Sequence, residues 1–420
     1  MNLFEPQSAD LFDVKIERIV PDGFGIGFAE NLTFFVPLVA AGDLARVRIE
    51  RKKGKVAFAS LVEILEPSKD RVKPPCPYFG VCGGCDFQQM NYESQLAAKI
   101  GILKDCLRRI GKIDFQEEIE ITPSPQIWNY RTRANWKRDG EKTGYFERSS
   151  HQVRDIQECP ILVKSLQETL LELRKSSEPD FVSVQSVAAR EEVSLRFEQN
   201  SDAPDFDENF YAANKPEAER ARATISVARE KAREIGLQIG KFRYHFSADC
   251  FFQVNHSILQ SFIETSLKNF KGQFALDLFC GAGLFTLPLA ESFARVIGVE
   301  GNKTSIAFAR QNADRAGLLN ADFEVSSVGT FLAKNIQGLS EVDFVLLDPP
   351  RTGAEKETIE ILCRLRPKRI CYVSCNPATL ARDLRLLIDG GSYKIEEIRA
   401  FDFFPQTHHV ETIVHLALND

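Results

Sequence analysis

Two apolar runs in the last third of the chain, Val345-Leu346-Leu347 and Ile370-Cys371-Tyr372-Val373, stop abruptly at proline-bearing tetrapeptides, Asp348-Pro349-Pro350-Arg351 and Ser374-Cys375-Asn376-Pro377. Short runs that are apolar at every position suit strands buried on both faces, as inside a parallel sheet. Proline removes a ladder donor and ends them. Parallel neighbours require crossover connections, usually helices, so this part of the chain is expected to fold as an open, doubly wound α/β sheet. Such sheets bind and react at the carboxyl ends of their strands. The two tetrapeptides therefore bring a thiol, Cys375, and a carboxylate, Asp348, to one crevice.

An earlier stretch extends the same pattern. Phe274-Ala275-Leu276 reads as a strand, followed by Asp277-Leu278-Phe279-Cys280-Gly281-Ala282-Gly283-Leu284-Phe285 and a helix over 286–293. Gly281 and Gly283 permit a tight turn with close backbone approach to a ligand, and Glu300 ends the next strand, Val296-Ile297-Gly298-Val299, where a carboxylate reaches ribose hydroxyls. Thr286 occupies the place of the third glycine of a dinucleotide fingerprint, which favours a single nucleoside ligand such as S-adenosylmethionine. Further strands are expected near 323–325, 344–347 and 370–373. Residues 393–400 and 409–416 have no helix between them and read as an antiparallel closing pair that carries Glu411.

The first 66 residues read differently. Five β-rich runs, punctuated by Pro21-Asp22-Gly23, Ala41-Gly42-Asp43 and Lys53-Gly54, suit a closed OB-like barrel. Arg46, Arg48, Arg51, Lys52, Lys53 and Lys55 crowd its last hairpin; they are either a solvated surface or a contact for single-stranded RNA.

Between these parts lies a cysteine cluster. Cys76, Cys82 and Cys85 fall within ten residues, and Cys159 follows later, preceding a proline as Cys76 does. Four thiolates suit a [4Fe–4S] cluster or tetrahedral zinc. Cys106, Cys250, Cys280, Cys363 and Cys371 lie in apolar or helix-like runs and read as small buried hydrophobes. Residues 91–110 carry helical spacing. The stretch Trp128 to Arg138 interleaves aromatics with Arg131, Arg133, Lys137 and Arg138, either to stack bases and hold phosphates or as an amphipathic strand. Residues 180–187 and 193–197 read as a strand pair, residues 199–222 as a polar surface excursion, and 216–233 as a helix-like run.

A net charge of −6, from 53 basic and 59 acidic residues, excludes a chain that is basic throughout but not a local nucleic-acid surface. No apolar run is long enough to span a bilayer, and the N-terminus lacks a signal-peptide layout. The expectation is a cytoplasmic protein with no membrane partner and no obligate protein partner.

These residues resemble the RNA uracil-5-methyltransferase family over nearly the whole chain. The barrel resembles a TRAM domain, carried by members specific for ribosomal RNA, and Cys76, Cys82, Cys85 and Cys159 match the family's [4Fe–4S] ligands. Phe251-Phe252-Gln253-Val254-Asn255 resembles the motif whose glutamine contacts cofactor or substrate. Asp277 to Gly283, Glu300 and Asp348 to Arg351 match its cofactor and substrate motifs; Ser374 to Pro377 matches the nucleophile motif and His409-Val410-Glu411-Thr412 the base motif.

The resemblance implies a Rossmann-like methyltransferase domain at 241–420, an OB-like TRAM barrel at 1–66 and a central α+β iron–sulfur and RNA-binding domain at 67–240. Its cofactors would be S-adenosylmethionine and a [4Fe–4S] cluster. The expected cofactor contacts are Gln253, Phe279, Gly281, Gly283, Leu284 through its backbone, Glu300, Ser327 and Asp348. Asp348 would also orient the uracil edge. The reaction expected is methylation of uridine C5 in structured RNA, ribosomal RNA ahead of transfer RNA. Because C5 is a poor nucleophile, the Cys375 thiolate would first add to C6, and Glu411 would later remove the C5 proton. The target base would be flipped out of its stack. A non-catalytic RNA-binding protein is the reading of a different class, and it predicts a broken nucleophile or cofactor motif.

Overall fold

The computed structural model describes residues 11–176, 181–198, 234–339, 341–389 and 391–419. It opens with β1 (Leu11–Ile19), β2 (Gly25–Ala29), β3 (Leu32–Val36), β4 (Leu44–Lys53) and β5 (Val56–Glu66). These close into a barrel in the order β1-β2-β3-β5-β4, with β3 and β5 parallel. Period-two patterning drives the closure: Val14 and Ile16 of β1 point inward while Lys15 and Glu17 face water. Phe34, Val36, Ala45, Val47 and Ala57 complete the interior. A closed barrel leaves no strand edge free to pair with another chain.

The helix α1 (Tyr92–Cys106) begins at Asn91, whose side chain accepts the Ser94 N–H, an N-cap that satisfies one orphan donor. Its residues Ile102, Leu103 and Cys106 share one apolar cluster with Leu380, Leu384 and Leu387 far along the chain. After it comes β6 (Glu120–Thr122). A five-stranded antiparallel sheet follows, built from β7 (Arg133–Asp139), β8 (Lys142–Phe146), β9 (Val153–Asp155), β10 (Ser183–Ala189) and β11 (Glu192–Glu198), in the order β11-β10-β7-β8-β9. The helix α2 (Lys164–Lys175) covers it, with Leu166, Leu170 and Leu173 packed among Trp136, Phe181 and Val184. The expected excursion over 199–222 and helix-like run over 216–233 lie outside the described residues.

A hairpin of β12 (Ile235–Ile239) and β13 (Phe242–Phe246) leads into the large sheet and shares its apolar cluster. Next come α3 (Leu259–Leu267), β14 (Gly272–Leu278), α4 (Thr286–Leu289), β15 (Phe293–Glu300), α5 (Lys303–Arg315), β16 (Ala321–Val325) and α6 (Val328–Asn335). The chain ends with β17 (Phe344–Leu347), α7 (Lys356–Leu365), β18 (Arg369–Ser374), α8 (Pro377–Asp389), β19 (Tyr393–Phe401) and β20 (Glu411–Leu418). The strand order is β16-β15-β14-β17-β18-β20-β19-β6. Strands β14 to β18 are mutually parallel where they pair, and β20 runs antiparallel to β18 and β19. Strand order reverses between β14 and β17, which opens a crevice over their carboxyl ends.

Two features depart from expectation. The helix expected over 286–293 stops at Leu289, because Phe293 to Arg295 pair with Gly272 to Phe274 and start β15 early. The eighth strand, β6, is only three residues long, too short for a periodic signal, and it joins the sheet parallel to β19.

Candidate active site

The turn after β14 is held against β15 by the Phe279 and Cys280 N–H groups, which both donate to the Val299 carbonyl at 2.9 and 3.0 Å. It forces Phe279 to a φ of 67°, in the left-handed region. Non-glycine residues held there store strain and cluster at functional sites. Gly283, with φ of 88°, packs so closely that a Cβ would stand 2.9 Å from Leu287 Cδ1. Gly281, with φ of 53°, is the opposite case: a Cβ would meet nothing within 4 Å. Its open side is where a ligand can approach the backbone.

Asp277 is fully buried beneath this turn. Its Oδ2 accepts the Thr286 hydroxyl, while Oδ1 has no hydrogen-bond partner within the protein. Burial pushes this carboxyl up to about 7, against the Thr286 bonds that favour ionisation. A buried acceptor left unpaired calls for an occupant. Glu300, at the end of β15, accepts the Asn302 N–H at 2.8 Å, and Asn302 in turn caps α5. Leu284 is buried and its carbonyl accepts the Tyr244 hydroxyl at 3.0 Å. Ser327 caps α6 after β16, accepting the Thr330 N–H at 3.3 Å. Gln253 is buried in the segment before α3, where the Thr132 N–H donates to the Val254 carbonyl at 2.8 Å and the neighbouring Phe252 stacks on Phe246. Phe251, beside it, is 52% exposed.

Across the crevice, the Asp348 N–H donates to the Leu278 carbonyl at 3.2 Å, tying the end of β17 to β14. Burial, and then Asp277 and Glu300, push Asp348 up to about 7. One strand over, Ser374 pairs with Thr412 on the last rung between β18 and β20. Cys375 therefore leaves the sheet beside Glu411. Asn376 directs that exit: its side-chain oxygen accepts the Ala378 N–H at 2.9 Å and so caps α8, with Pro377 at the first helical position. Asn376 Nδ2 and Thr379 Oγ1 both donate to the Arg351 carbonyl, at 3.3 and 3.2 Å, which fastens the Asp-Pro-Pro-Arg loop to the thiol's loop.

The electrostatics join these groups into one site. Burial pushes the Cys375 thiol up to about 12, Glu411 and Asp348 push the same way, and the Arg351 guanidinium opposes them. Glu411 is buried and held well above the usual carboxylate range by that burial and by Asp348, again with Arg351 opposing. A thiol, a strongly basic carboxylate, a second carboxylate near its midpoint at neutral pH and one guanidinium thus converge at three strand ends. Such perturbed groups in a cleft mark a chemical site.

The four clustered cysteines also come together. All ten cysteines are free thiols. Burial raises Cys76, Cys82, Cys85 and Cys159; Cys85 is raised further by Cys159 and Cys82, and Cys159 by Cys82 and Cys76. Cys159 is held by its N–H to Gln167 at 2.8 Å and Cys76 by its N–H to Gln88 at 3.3 Å. Among the described residues no group of three or more His, Cys, Asp or Glu side chains is arranged to hold a metal ion.

The aromatic and basic stretch from Trp128 to Arg138 is mostly structural. Trp136 and Tyr130 are buried, the latter with its hydroxyl donating to the Pro405 carbonyl at 2.9 Å. Arg133 donates to the Cys250 and Ala248 carbonyls, and Arg138 lies over the Phe181 ring. The amphipathic-strand alternative is the one this geometry favours. On the barrel, Arg48, Arg51, Lys52, Lys53 and Lys55 are exposed, whereas Arg46 is tied to Asp13 and Glu63.

Sequence reasoning missed the contacts that hold the turn between β19 and β20. Lys99 is wholly buried against Asp402, Gln95 bonds Gln406, and Asp86 bonds His408. One signal was present: Lys99 lies three residues after Leu96 and four before Leu103, on the helix face that those leucines share.

A sequence profile of the tRNA (Uracil-5-)-methyltransferase family matches residues 218–419. The 23S rRNA (uracil(1939)-C(5))-methyltransferase of Thiobacillus denitrificans is 34% identical, over 95% of this chain and 98% of its own. The tRNA (uracil(54)-C(5))-methyltransferase of Schizosaccharomyces pombe is 31% identical, over 96% of this chain and 77% of its own. The crystal structure of the Pyrococcus abyssi tRNA (uracil-54, C5)-methyltransferase with S-adenosyl-L-homocysteine superposes with a TM-score of 0.71 at 28% identity, covering 96% of this chain and all of that one. This chain belongs to the RNA uracil-5-methyltransferase family. Its fold is that of the S-adenosylmethionine-dependent methyltransferases, preceded by a five-stranded barrel.

Proposed function

We propose that this protein methylates C5 of a uridine in 23S ribosomal RNA with S-adenosylmethionine, through a covalent bond between Cys375 and uracil C6. The convergence of Cys375, Glu411, Asp348 and Arg351 on one crevice carries the reading. Arg351 opposes the burial that keeps the Cys375 thiol protonated; once that proton has passed to solvent, addition of the thiolate to C6 turns the ring into an enolate, whose C5 attacks the methyl group and releases the rest of the donor as a neutral thioether. Asp348, near its midpoint at neutral pH, holds the ring edge. Glu411 acts as the base in its ionised form, its resting proton having first passed to solvent: the carboxylate takes the C5 proton, after which the ring double bond re-forms and Cys375 is expelled. The unpaired Asp277 oxygen, the strained Phe279, the open side of Gly281, the spacing Gly283, the Leu284 backbone and Glu300 line the side of the crevice where the methyl donor fits, with Gln253 and Ser327 as outer contacts.

The proposed organisation is an RNA-binding TRAM barrel over residues 1–66, a central iron–sulfur and RNA-binding unit over 67–240 and the methyltransferase over 241–420, acting in the cytoplasm. Cys76, Cys82, Cys85 and Cys159 supply the donor set of a [4Fe–4S] cluster: four soft ligands whose ionisation is mutually opposed and which a cationic cluster would relieve. When bound, the cluster would supply structural cross-linking of the loop that carries three of them.

The Pyrococcus tRNA enzyme covers the barrel as well as the crevice, so the barrel does not separate the two RNA classes; the higher identity to the 23S rRNA enzyme favours ribosomal RNA. Unmodified 23S rRNA and tRNA transcripts, incubated with the protein and labelled methyl donor and mapped by mass, test this. Incorporation at uridine C5 of the 23S transcript is expected. Incorporation into tRNA alone would reassign the substrate, and incorporation into neither would overturn the catalytic reading in favour of an RNA-binding protein.

A further inference from the structure

The turn that leads into Glu411 is not held by its own strands alone. It is gripped from α1, some three hundred residues earlier in the chain. Lys99 and Asp402 are both fully buried and ion-paired, and Lys99 Nζ also donates to the Phe404 carbonyl at 2.9 Å. The other Asp402 oxygen accepts the Tyr92 hydroxyl at 2.8 Å, and that hydroxyl accepts the Ser124 N–H at 2.8 Å. The path onward to the base is short. Asp402 follows Phe401, which pairs across the sheet with Glu411. Phe404's carbonyl also accepts the Thr407 N–H and hydroxyl, and that hydroxyl accepts the His409 N–H at 3.3 Å.

A simple packing role is poorly served by this arrangement. Burying a lysine and an aspartate costs more than burying apolar side chains of the same volume, and such pairs are best attested where they fix one register among several. The α1 position is otherwise a core position, among Ile102, Leu103 and Cys106. We propose that Lys99 is a positioning residue for the proton-removal step: through Asp402 and the Phe404 carbonyl it sets the turn that aims Glu411 at uracil C5. This rests on the reading of Glu411 as the base. In that step Glu411 takes the C5 proton, the C5–H electron pair re-forms the C5–C6 double bond, and the C6–S pair returns to Cys375 as thiolate. Cysteine addition and methyl transfer precede it, so a misaimed Glu411 stalls the enzyme on its RNA.

The experiment compares Lys99→Met, the charge-neutral pair Lys99→Met with Asp402→Asn, and Glu411→Gln, all as full chains, on whichever unmodified transcript the wild-type protein methylates. Two quantities are read: multiple-turnover release of methylated RNA, and the denaturation-resistant protein–RNA adduct formed in one turnover. A misplacement of about 1 Å costs on the order of 10²-fold in rate. The neutral pair avoids an uncompensated buried charge and tests the proposal even where Lys99→Met fails to fold. It is expected to lose about 10²-fold in turnover while forming the methylated adduct within about threefold of the wild-type rate, so that the adduct accumulates. Equal losses in both quantities, or wild-type turnover by the neutral pair, overturn the positioning role. If Glu411→Gln itself accumulates no adduct, it is the base assignment that fails; if it does and the neutral pair does not, only the role of Lys99 fails.

Discussion

Cys375 and Cys159 lie in different parts of the molecule, and burial pushes both thiols up to about 12. Their surroundings differ. Cys375 is set between Glu411 and Asp348, with Arg351 opposing them, at an open crevice. Cys159 is set among other thiols, Cys82 and Cys76 raising it further, with Arg131 and the Ile161 N–H opposing. On the proposed reading the same perturbation would serve two chemistries. At the crevice the thiol is destabilised as an anion until an electrophile arrives, and the relief is transient. In the loop, ionising one thiol makes the next harder, and on the proposed reading a resident cation would supply lasting relief. Burial alone does not mark a site, since it also raises Cys106 to about 11; the charged or thiol neighbours make the difference.

Replacing each thiol in turn should separate the two regions, and the crevice should respond more strongly. Cys375→Ala should lower methyl transfer by on the order of 10⁴-fold or more, since it removes the thiolate proposed to add to C6. It should leave iron content, measured on the purified protein, unchanged. A residual activity within tenfold of the wild type would remove Cys375 from the chemistry and break the contrast between a transiently relieved thiol and a permanently liganded one.

Cys159→Ser should do the reverse. The protein carrying all four thiols is expected to bind iron and sulfide and to absorb near 400 nm, roughly where iron–sulfur centres do. The variant should lose most of both. A resident ligand at a thousandfold its Kd stabilises the folded state by about 4 kcal/mol, so thermal unfolding of the central sheet should come earlier by that measure. Affinity for the methyl donor, read by calorimetry, should stay within about threefold, because the thiol loop bonds the turn into Glu411, at Gln406 and His408, and not the donor side of the crevice. A colourless wild-type protein with bound zinc would keep the comparison but change its cation.

Most of the crevice was legible because its signals are local. Apolar runs halted at Pro349 and Pro377, glycines at 281 and 283, and Glu300 at a strand end all follow from what neighbouring residues permit, and β14 to β20 fall close to their expected places. The barrel was legible for the same reason, through alternation and turn residues. What escaped depends on contacts across the chain. α1 was visible as a helix, yet nothing in its own spacing says that it packs on Leu380 and Leu384. β6 has too few residues to show a period. Trp136 and Arg133 left base stacking and an amphipathic strand equally open because composition cannot tell an exposed aromatic from one closed over by Leu166 and Leu170. Asp277's unpaired oxygen, the clearest cue for a ligand, exists only once the fold has buried it.

The smallest expected effect concerns the crevice in its resting state. Asp277 and Asp348 are both raised to about 7, burial being the first cause of each, from an unfolded value of about 3.9. The folded protein therefore holds these protons more tightly than the unfolded chain does. The stability this confers is complete below about pH 3.9, and it is lost as pH rises to about 7. The methyl donor carries positive charge, so it favours the ionised carboxylates and releases their protons on binding. Its affinity should strengthen between pH 5.5 and 7 by up to about tenfold per unit for each carboxylate it engages, then level off. Calorimetry in buffers of different ionisation heat reads both the affinity and the proton count. Asp277→Asn should remove one proton from that count and flatten the slope, while stabilising the unliganded protein at pH 8 by at most about 4 kcal/mol, three units at 1.36 kcal/mol each. The thiol loop predicts protons released by metal instead, so a donor-binding slope unchanged by Asp277→Asn would mean that the raised carboxylates answer to something other than the methyl donor.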